Sequence, residues 1–150
     1  MEIIKILINN AKGVGIFVII SLISMPVLGL IWPRLESNGV LGLTVVFAIV
    51  IEIAMFALYF LGGRFFIKTA GVFFKDALSF LAVIVIVLTV LVVNPGPFLF
   101  FAYPHLFIVV AFGNQDAGIQ ISVITSAIMI IIGAVTKNRI KRPGSFKNVS

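Results

Sequence analysis

Four long apolar runs, almost free of charged residues, constrain this chain more than any other feature. They cover residues 14–32, 40–62, 77–93 and 119–136. A helix needs about 20 apolar residues to cross a hydrocarbon core of about 30 Å. Lipid offers the backbone no hydrogen-bond partners, so such segments cross as helices. We predict an all-α polytopic membrane protein with a four-transmembrane-helix bundle in residues 14–136.

Composition supports this class. The chain has 150 residues, of which 61% are hydrophobic and 11% charged, whereas soluble domains are about half apolar and a quarter charged. A soluble fold of this size has too little interior for so many apolar side chains. Cysteine is absent and there is one histidine, so we predict neither a metal site nor a cofactor.

Residues 94–113 are the ambiguous part of the pattern. Joined to the third run they form an apolar stretch of 37 residues, which as one helix would be about 55 Å long. In one interpretation, residues 98–112 are a fifth span. In the other, the segment is re-entrant or interfacial and returns to the side from which it came.

The distribution of basic residues favours four spans. With four, ten of the eleven Lys and Arg residues share one side and only Arg34 lies opposite, whereas five spans divide them five to six. Cytoplasmic loops carry an excess of positive charge. We therefore expect the bacterial inner (plasma) membrane, both termini in the cytoplasm and a re-entrant or interfacial segment after the third span.

Three flanking segments are predicted to lie on the cytoplasmic side. Residues 1–13 form an amphipathic segment, residues 64–76 combine basic and aromatic residues, and residues 137–150 form a basic tail. Basic, apolar-faced segments bind anionic leaflets. The residues expected to contact lipid or a cytosolic protein partner are Arg64, Lys68, Lys75, Lys137, Arg139, Lys141 and Arg142.

Glu52 is the one charged residue in the second run, thirteenth of its 23 residues. A carboxylate near the bilayer centre costs a few kcal/mol, so we expect Glu52 to be protonated and to face mid-depth hydroxyl groups. In a pore or carrier it would respond to protons or cations, whereas in a purely structural role it would form an interhelical hydrogen bond. The hydroxyl-bearing residues at suitable depth are Ser21, Ser24, Thr89, Thr125 and Ser126.

A stripe of small residues marks one face of the fourth run. Its members are Gly118, Ser122, Ser126 and Gly133. Small residues let membrane helices approach closely, so the stripe predicts a helix-packing interface, either within one subunit or between subunits. A chain this short has little room for an internal pore, which favours a homo-oligomer.

No catalytic sequence motif is present, so the prediction is a non-enzymatic protein. The favoured function is an oligomeric inner-membrane subunit that acts as a membrane sensor or anchor and docks a cytosolic partner through its basic surface, without specific nucleic acid binding. The alternative is a small oligomeric ion channel or proton-coupled transporter with Glu52 as the working carboxylate.

Two resemblances accompany these predictions. A midplane Glu in a small four-span chain resembles the small multidrug exporters, although their acid lies in the first span and no residue role is transferred. In size and topology the chain is similar to four-span subunits of phage-defence or bacteriocin-immunity systems, such as the membrane subunit of the Kiwa system. That likeness implies a role in bacterial defence.

Overall fold

The computed structural model describes residues 2–37, 41–70, 72–93, 99–105 and 114–140, and within these ranges all regular structure is helical. This agrees with the predicted all-α class. The helices are α1 (Glu2–Ser37), α2 (Leu41–Phe66), α3 (Phe73–Ser79), α4 (Leu81–Val92), α5 (Leu99–Ala102), a 3₁₀ turn (Tyr103–His105) and α6 (Gln115–Ile140).

Among the described residues, three segments are long and apolar enough to cross a membrane: Glu2–Pro26, Val46–Phe66 and Gln115–Lys137. They are compatible with a membrane helical bundle. The third apolar run instead forms α3 and α4, which are separated at Phe80 where φ is −109° and ψ is 7°. The 12 residues of α4 extend about 18 Å, less than the thickness of the hydrocarbon core.

The first helix is longer than the first apolar run. Residues 2–37 form one continuous helix, so the described part of the predicted amphipathic segment is the beginning of α1. Asn9 fixes this end, since its amide donates to the Lys68 carbonyl over 2.8 Å. Asn10 donates to the Leu78 carbonyl, also over 2.8 Å. These contacts hold the first turns of α1 against the segment around α3.

Helices α2 and α6 pack so closely that the backbone of one contacts the backbone of the other. A Cβ atom added to Gly133 would lie 2.0 Å from the Phe60 carbonyl oxygen, and one added to Gly63 would lie 2.0 Å from the Ile130 carbonyl oxygen. Only glycine fits at such a contact. Each helix therefore leaves a glycine-sized space for the backbone of the other.

The short segment α5 and its 3₁₀ turn pack inside the bundle, against α1, α2 and α6. Ala102 and His105 are fully buried, and the Phe101 ring packs edge-on against Phe17 of α1. Residues 94–98 and 106–113, which complete the segment predicted to be re-entrant, lie outside the described residues. So do Lys141, Arg142 and the rest of the tail from residue 141.

Candidate functional site

Three side chains from distant parts of the chain meet in the interior of the bundle. Glu52 comes from the middle of α2, His105 ends the 3₁₀ turn, and Ser126 lies in the middle of α6. The Glu52 Oε2 atom lies 2.6 Å from His105 Nδ1. On the other side of the ring, His105 Nε2 lies 2.9 Å from Ser126 Oγ. We call this arrangement the Glu–His–Ser chain.

The Glu–His–Ser chain is buried, and burial limits the net charge that it can carry. The His105 side chain is fully buried and that of Glu52 is 12% exposed, while Ser126 is fully buried. At this depth a net charge is costly. The short distance from His105 to Glu52 is typical of a charge-assisted hydrogen bond.

Two proton arrangements satisfy both contacts. In the first, neutral His105 donates its Nδ1–H to ionised Glu52 and accepts the Ser126 hydroxyl proton at Nε2, which leaves one net negative charge. In the second, the chain holds one more proton and is neutral overall. His105 then donates from Nε2 to Ser126 Oγ, and the Ser126 hydroxyl donates to the Ser122 carbonyl, 2.8 Å away. The two arrangements differ by one proton, and in the second the Glu–His–Ser chain carries no net charge.

Two aromatic rings of α2 stack on the His105 imidazole. Phe56 stacks on His105 with ring centres 4.6 Å apart, and Tyr59 stacks on it at 5.5 Å. Glu52, Phe56 and Tyr59 are spaced four and three residues apart, so one face of α2 supplies all three.

Further polar atoms lie in the same interior. Tyr59 lies beside Ser126 and Ser21. Among the described residues, the buried side-chain atoms without a standard hydrogen bond are the Tyr59 hydroxyl, Ser21 Oγ and Glu52 Oε1. Seven residues of α2 separate Glu52 from Tyr59, about 10 Å along the helix. Polar groups thus line about a third of a hydrocarbon core of about 30 Å.

The other hydroxyls predicted near Glu52 are engaged with their own helices. Ser24 Oγ donates to the Ser21 carbonyl over 3.0 Å. Thr89 and Thr125 each donate over 2.7 Å to a carbonyl one turn earlier. Of the predicted residues, Ser126 is therefore the one that joins Glu52, through His105, while Ser21 borders Tyr59.

The small-residue stripe of α6 is buried inside the single chain. Gly118, Ser122, Ser126 and Gly133 are all buried, and Gly133 packs against α2. These positions serve packing within the subunit and also place Ser126 on the inner face.

Sequence reasoning missed His105 and Tyr59 as members of the site. Nothing local in the sequence shows that residues 99–105, which include His105, pack inside the bundle. The one signal in the sequence is the spacing of Glu52, Phe56 and Tyr59, which places them on the same face of a helix. It does not identify the residue that contacts Glu52.

The order Ser–His–carboxylate is also that of acyl-transfer triads. Such enzymes additionally need hydrogen-bond donors aimed at the developing oxyanion. Ser126 lies within α6, where backbone N–H groups bond to the preceding turn. Both Ser126 and His105 are fully buried, and the Ser126 hydroxyl donates to the Ser122 carbonyl of its own helix. The geometry therefore suits proton binding better than nucleophilic attack.

Basic side chains gather at one end of the bundle. Lys5, Lys68 and Lys75 line a polar pocket of about 320 Å³ together with Glu2 and Asn9. Lys75 forms a 2.8 Å ion pair with Glu2. The Thr69 hydroxyl donates to the Ala134 carbonyl over 3.4 Å, which brings the last turns of α6 to this end. Arg64, Lys137 and Arg139 belong to the C-terminal turns of α2 and α6.

Comparisons of the chain with protein-family models, curated proteins and solved structures found no match. Within the described ranges, no group of three or more His, Cys, Asp or Glu side chains could hold a metal ion. The function must therefore be argued from the Glu–His–Ser chain and the basic end.

Proposed function

We propose that the protein is a small proton-conducting channel or proton-coupled transporter of the membrane, in which the Glu–His–Ser chain takes up and releases the proton. The observation that carries the proposal is the pair of contacts that His105 makes, 2.6 Å to Glu52 and 2.9 Å to Ser126. Adding one proton neutralises the chain and turns the Ser126 hydroxyl from His105 towards the Ser122 carbonyl.

The membrane topology is part of this proposal. In it, α3 and α4 together make a fourth crossing, and residues 94–113 enter the bundle and return to the same side. The Gln120 amide lies 3.4 Å from the Val90 carbonyl, which supports placing the end of α4 beside the start of α6. His105 lies between these two helices in sequence yet reaches the depth of Glu52. By the positive-inside rule, both termini face the cytoplasm of a bacterial inner membrane.

Proton flux into proteoliposomes tests the proposal. Purified protein is reconstituted with an internal pH-sensitive dye, and an inward proton gradient is imposed with the membrane potential clamped. We expect flux for the wild type and its loss for Glu52→Gln and His105→Gln. Asp116→Asn is the matched control, because Asp116 is an exposed acid in the first turn of α6, and it should keep wild-type flux. Wild-type liposomes that behave like empty ones would overturn the proposal.

A second candidate function uses the basic end. Here the protein is a non-enzymatic, homo-oligomeric sensor or anchor that docks a cytosolic partner, as in a phage-defence or immunity-type complex. The convergence of Lys5, Lys68, Lys75 and the end of α6 favours it. Because the stripe of α6 is buried within the chain, the lipid-facing surfaces of other helices would supply the contacts between subunits.

Native mass spectrometry and affinity capture in mild detergent test this second function. The expected results are an oligomer and a captured protein that is lost when Lys68→Glu and Lys137→Glu reverse the charge. A stable monomer, or capture that is insensitive to charge reversal, argues against docking. The two functions are separable, because neither lysine belongs to the Glu–His–Ser chain.

A further inference from the structure

An apolar groove runs between α1 and α2 on the outer surface of the bundle. Its volume is about 420 Å³. Ile16, Ile20 and Met55 form its floor, each less than 10% exposed. Gly15 and Gly62 lack side chains that would fill it, and a Cβ atom added to Gly15 would meet nothing within 4 Å. The side chains and glycines of α1 and α2 therefore form a concave groove.

The groove carries polar residues at its ends and is apolar between them. Lys12 lies at one end and Ser24 at the other, with hydrophobic side chains between them. Twelve residues of α1 separate these two, about 18 Å along the helix, which is close to the depth of one leaflet of a core of about 30 Å. Lys12 belongs to the same end of the bundle as Lys5 and Lys68.

The dimensions distinguish between possible occupants. A volume of about 420 Å³ spread over that length leaves a cross-section on the order of 20 Å². A helix with its side chains is about 10 Å wide, so a helix of a second copy would lie over the groove and not within it. A single extended hydrocarbon chain is narrow enough and apolar along its length.

We propose that this groove is a binding site for an anionic phospholipid, with one acyl chain lying along Gly15 and Ile16 and its phosphate paired with the Lys12 ammonium group. A basic side chain close to an anionic headgroup attracts it electrostatically. The apolar chain is held by shape and dispersion against Ile16, Ile20 and Met55. The groove contains no residue of the Glu–His–Ser chain, so lipid binding can be tested separately from proton conduction.

Native mass spectrometry of the full chain, released from detergent with defined lipids, tests the proposal. The probes are phosphatidylglycerol and phosphatidylcholine with identical acyl chains. We expect the wild type to retain phosphatidylglycerol in preference to phosphatidylcholine. Lys12→Gln should reduce that preference about fivefold and keep the phosphatidylcholine adduct, whereas Gly15→Leu should remove both adducts by filling the groove.

Two matched controls separate the groove from general lipid contact. Ala11→Leu introduces the same side chain at an exposed position of α1 outside the groove, and Lys137→Gln removes a charge from α6. Both should bind lipid as the wild type does. Circular dichroism and gel filtration check that Gly15→Leu remains folded. Equal retention of the two lipids by the wild type would overturn the proposal, and so would undiminished binding by folded Gly15→Leu or equal losses in Ala11→Leu.

Discussion

His105 Nδ1 lies 2.6 Å from Glu52 Oε2, although 53 residues separate the two in the chain. The contact explains how a carboxyl group is tolerated at mid-span, since the pair can share a proton and carry no net charge. It also fixes the position of the segment that contains His105 against α2.

The first prediction concerns the contribution of this pair to stability. Glu52→Gln and His105→Leu should each destabilise the fold by about 1–2 kcal/mol, the size of an interhelical hydrogen bond in a membrane. The double variant should lose less than the sum of both, because the two residues act on one contact. Unfolding of the purified protein in mixed micelles measures all three. Strict additivity would mean that the two side chains are not coupled.

A second prediction addresses Ser126. Its hydroxyl should not react with a fluorophosphonate probe, because it donates to the Ser122 carbonyl, 2.8 Å away, and the side chain is fully buried. Gel fluorescence and intact mass report labelling, with a soluble serine hydrolase as the positive control. Labelling of the wild type that disappears in Ser126→Ala would show an activated nucleophile and contradict a non-enzymatic role.

The glycines on α1 and α6 allow a matched comparison. Gly133→Ala should cost about 1–3 kcal/mol, as overpacking usually does, because the new Cβ would lie 2.0 Å from the Phe60 carbonyl oxygen. Gly15→Ala meets open space and should be neutral or stabilise the helix by up to about 1 kcal/mol. Thermal unfolding in detergent measures both. Equal losses of stability would show that the contact between α2 and α6 is not as close as described.

The all-α class and the long apolar helices could be predicted from sequence, and the partner of Glu52 could not. The apolar runs depend on local composition, which directly reflects the solvent of the folded chain. The depth of His105 depends instead on how residues 99–105 pack against α1, α2 and α6, which is a long-range property. Ser126 was among the hydroxyl-bearing residues predicted near Glu52, and the structure joins the two through His105.

Helix ends likewise depend on long-range contacts that local composition does not predict. A predicted amphipathic segment and the first apolar run form one helix, and Asn9 and Asn10 near its start bond to residues far along the chain. Hydrophobic periodicity cannot reveal such contacts. The interruption at Phe80 was likewise invisible in an unbroken apolar run.

Asn10 is predicted to act as a long-range cap for α4. Its side-chain oxygen accepts the Ala82 N–H over 2.7 Å, and N–H groups in the first turn of a helix have no acceptor within that helix. Asn10→Ala should therefore speed amide exchange at Ala82 about tenfold, in line with the loss of about one hydrogen bond. Asn114→Ala is the control, since Asn114 caps α6 through the Asp116 N–H. Unchanged exchange at Ala82 would rule out the capping role.

The last prediction concerns orientation, and the absence of native cysteine makes it direct. Single Lys68→Cys, Lys137→Cys and Asp116→Cys variants can be labelled with a membrane-impermeant maleimide in sealed vesicles of known orientation. Lys68 and Lys137 lie at the basic end, whereas Asp116 lies at the opposite end of α6. By the positive-inside rule, the first two should react only from the cytoplasmic side and Cys at position 116 only from the other side. Reaction of all three from one side would mean that α6 does not cross the membrane.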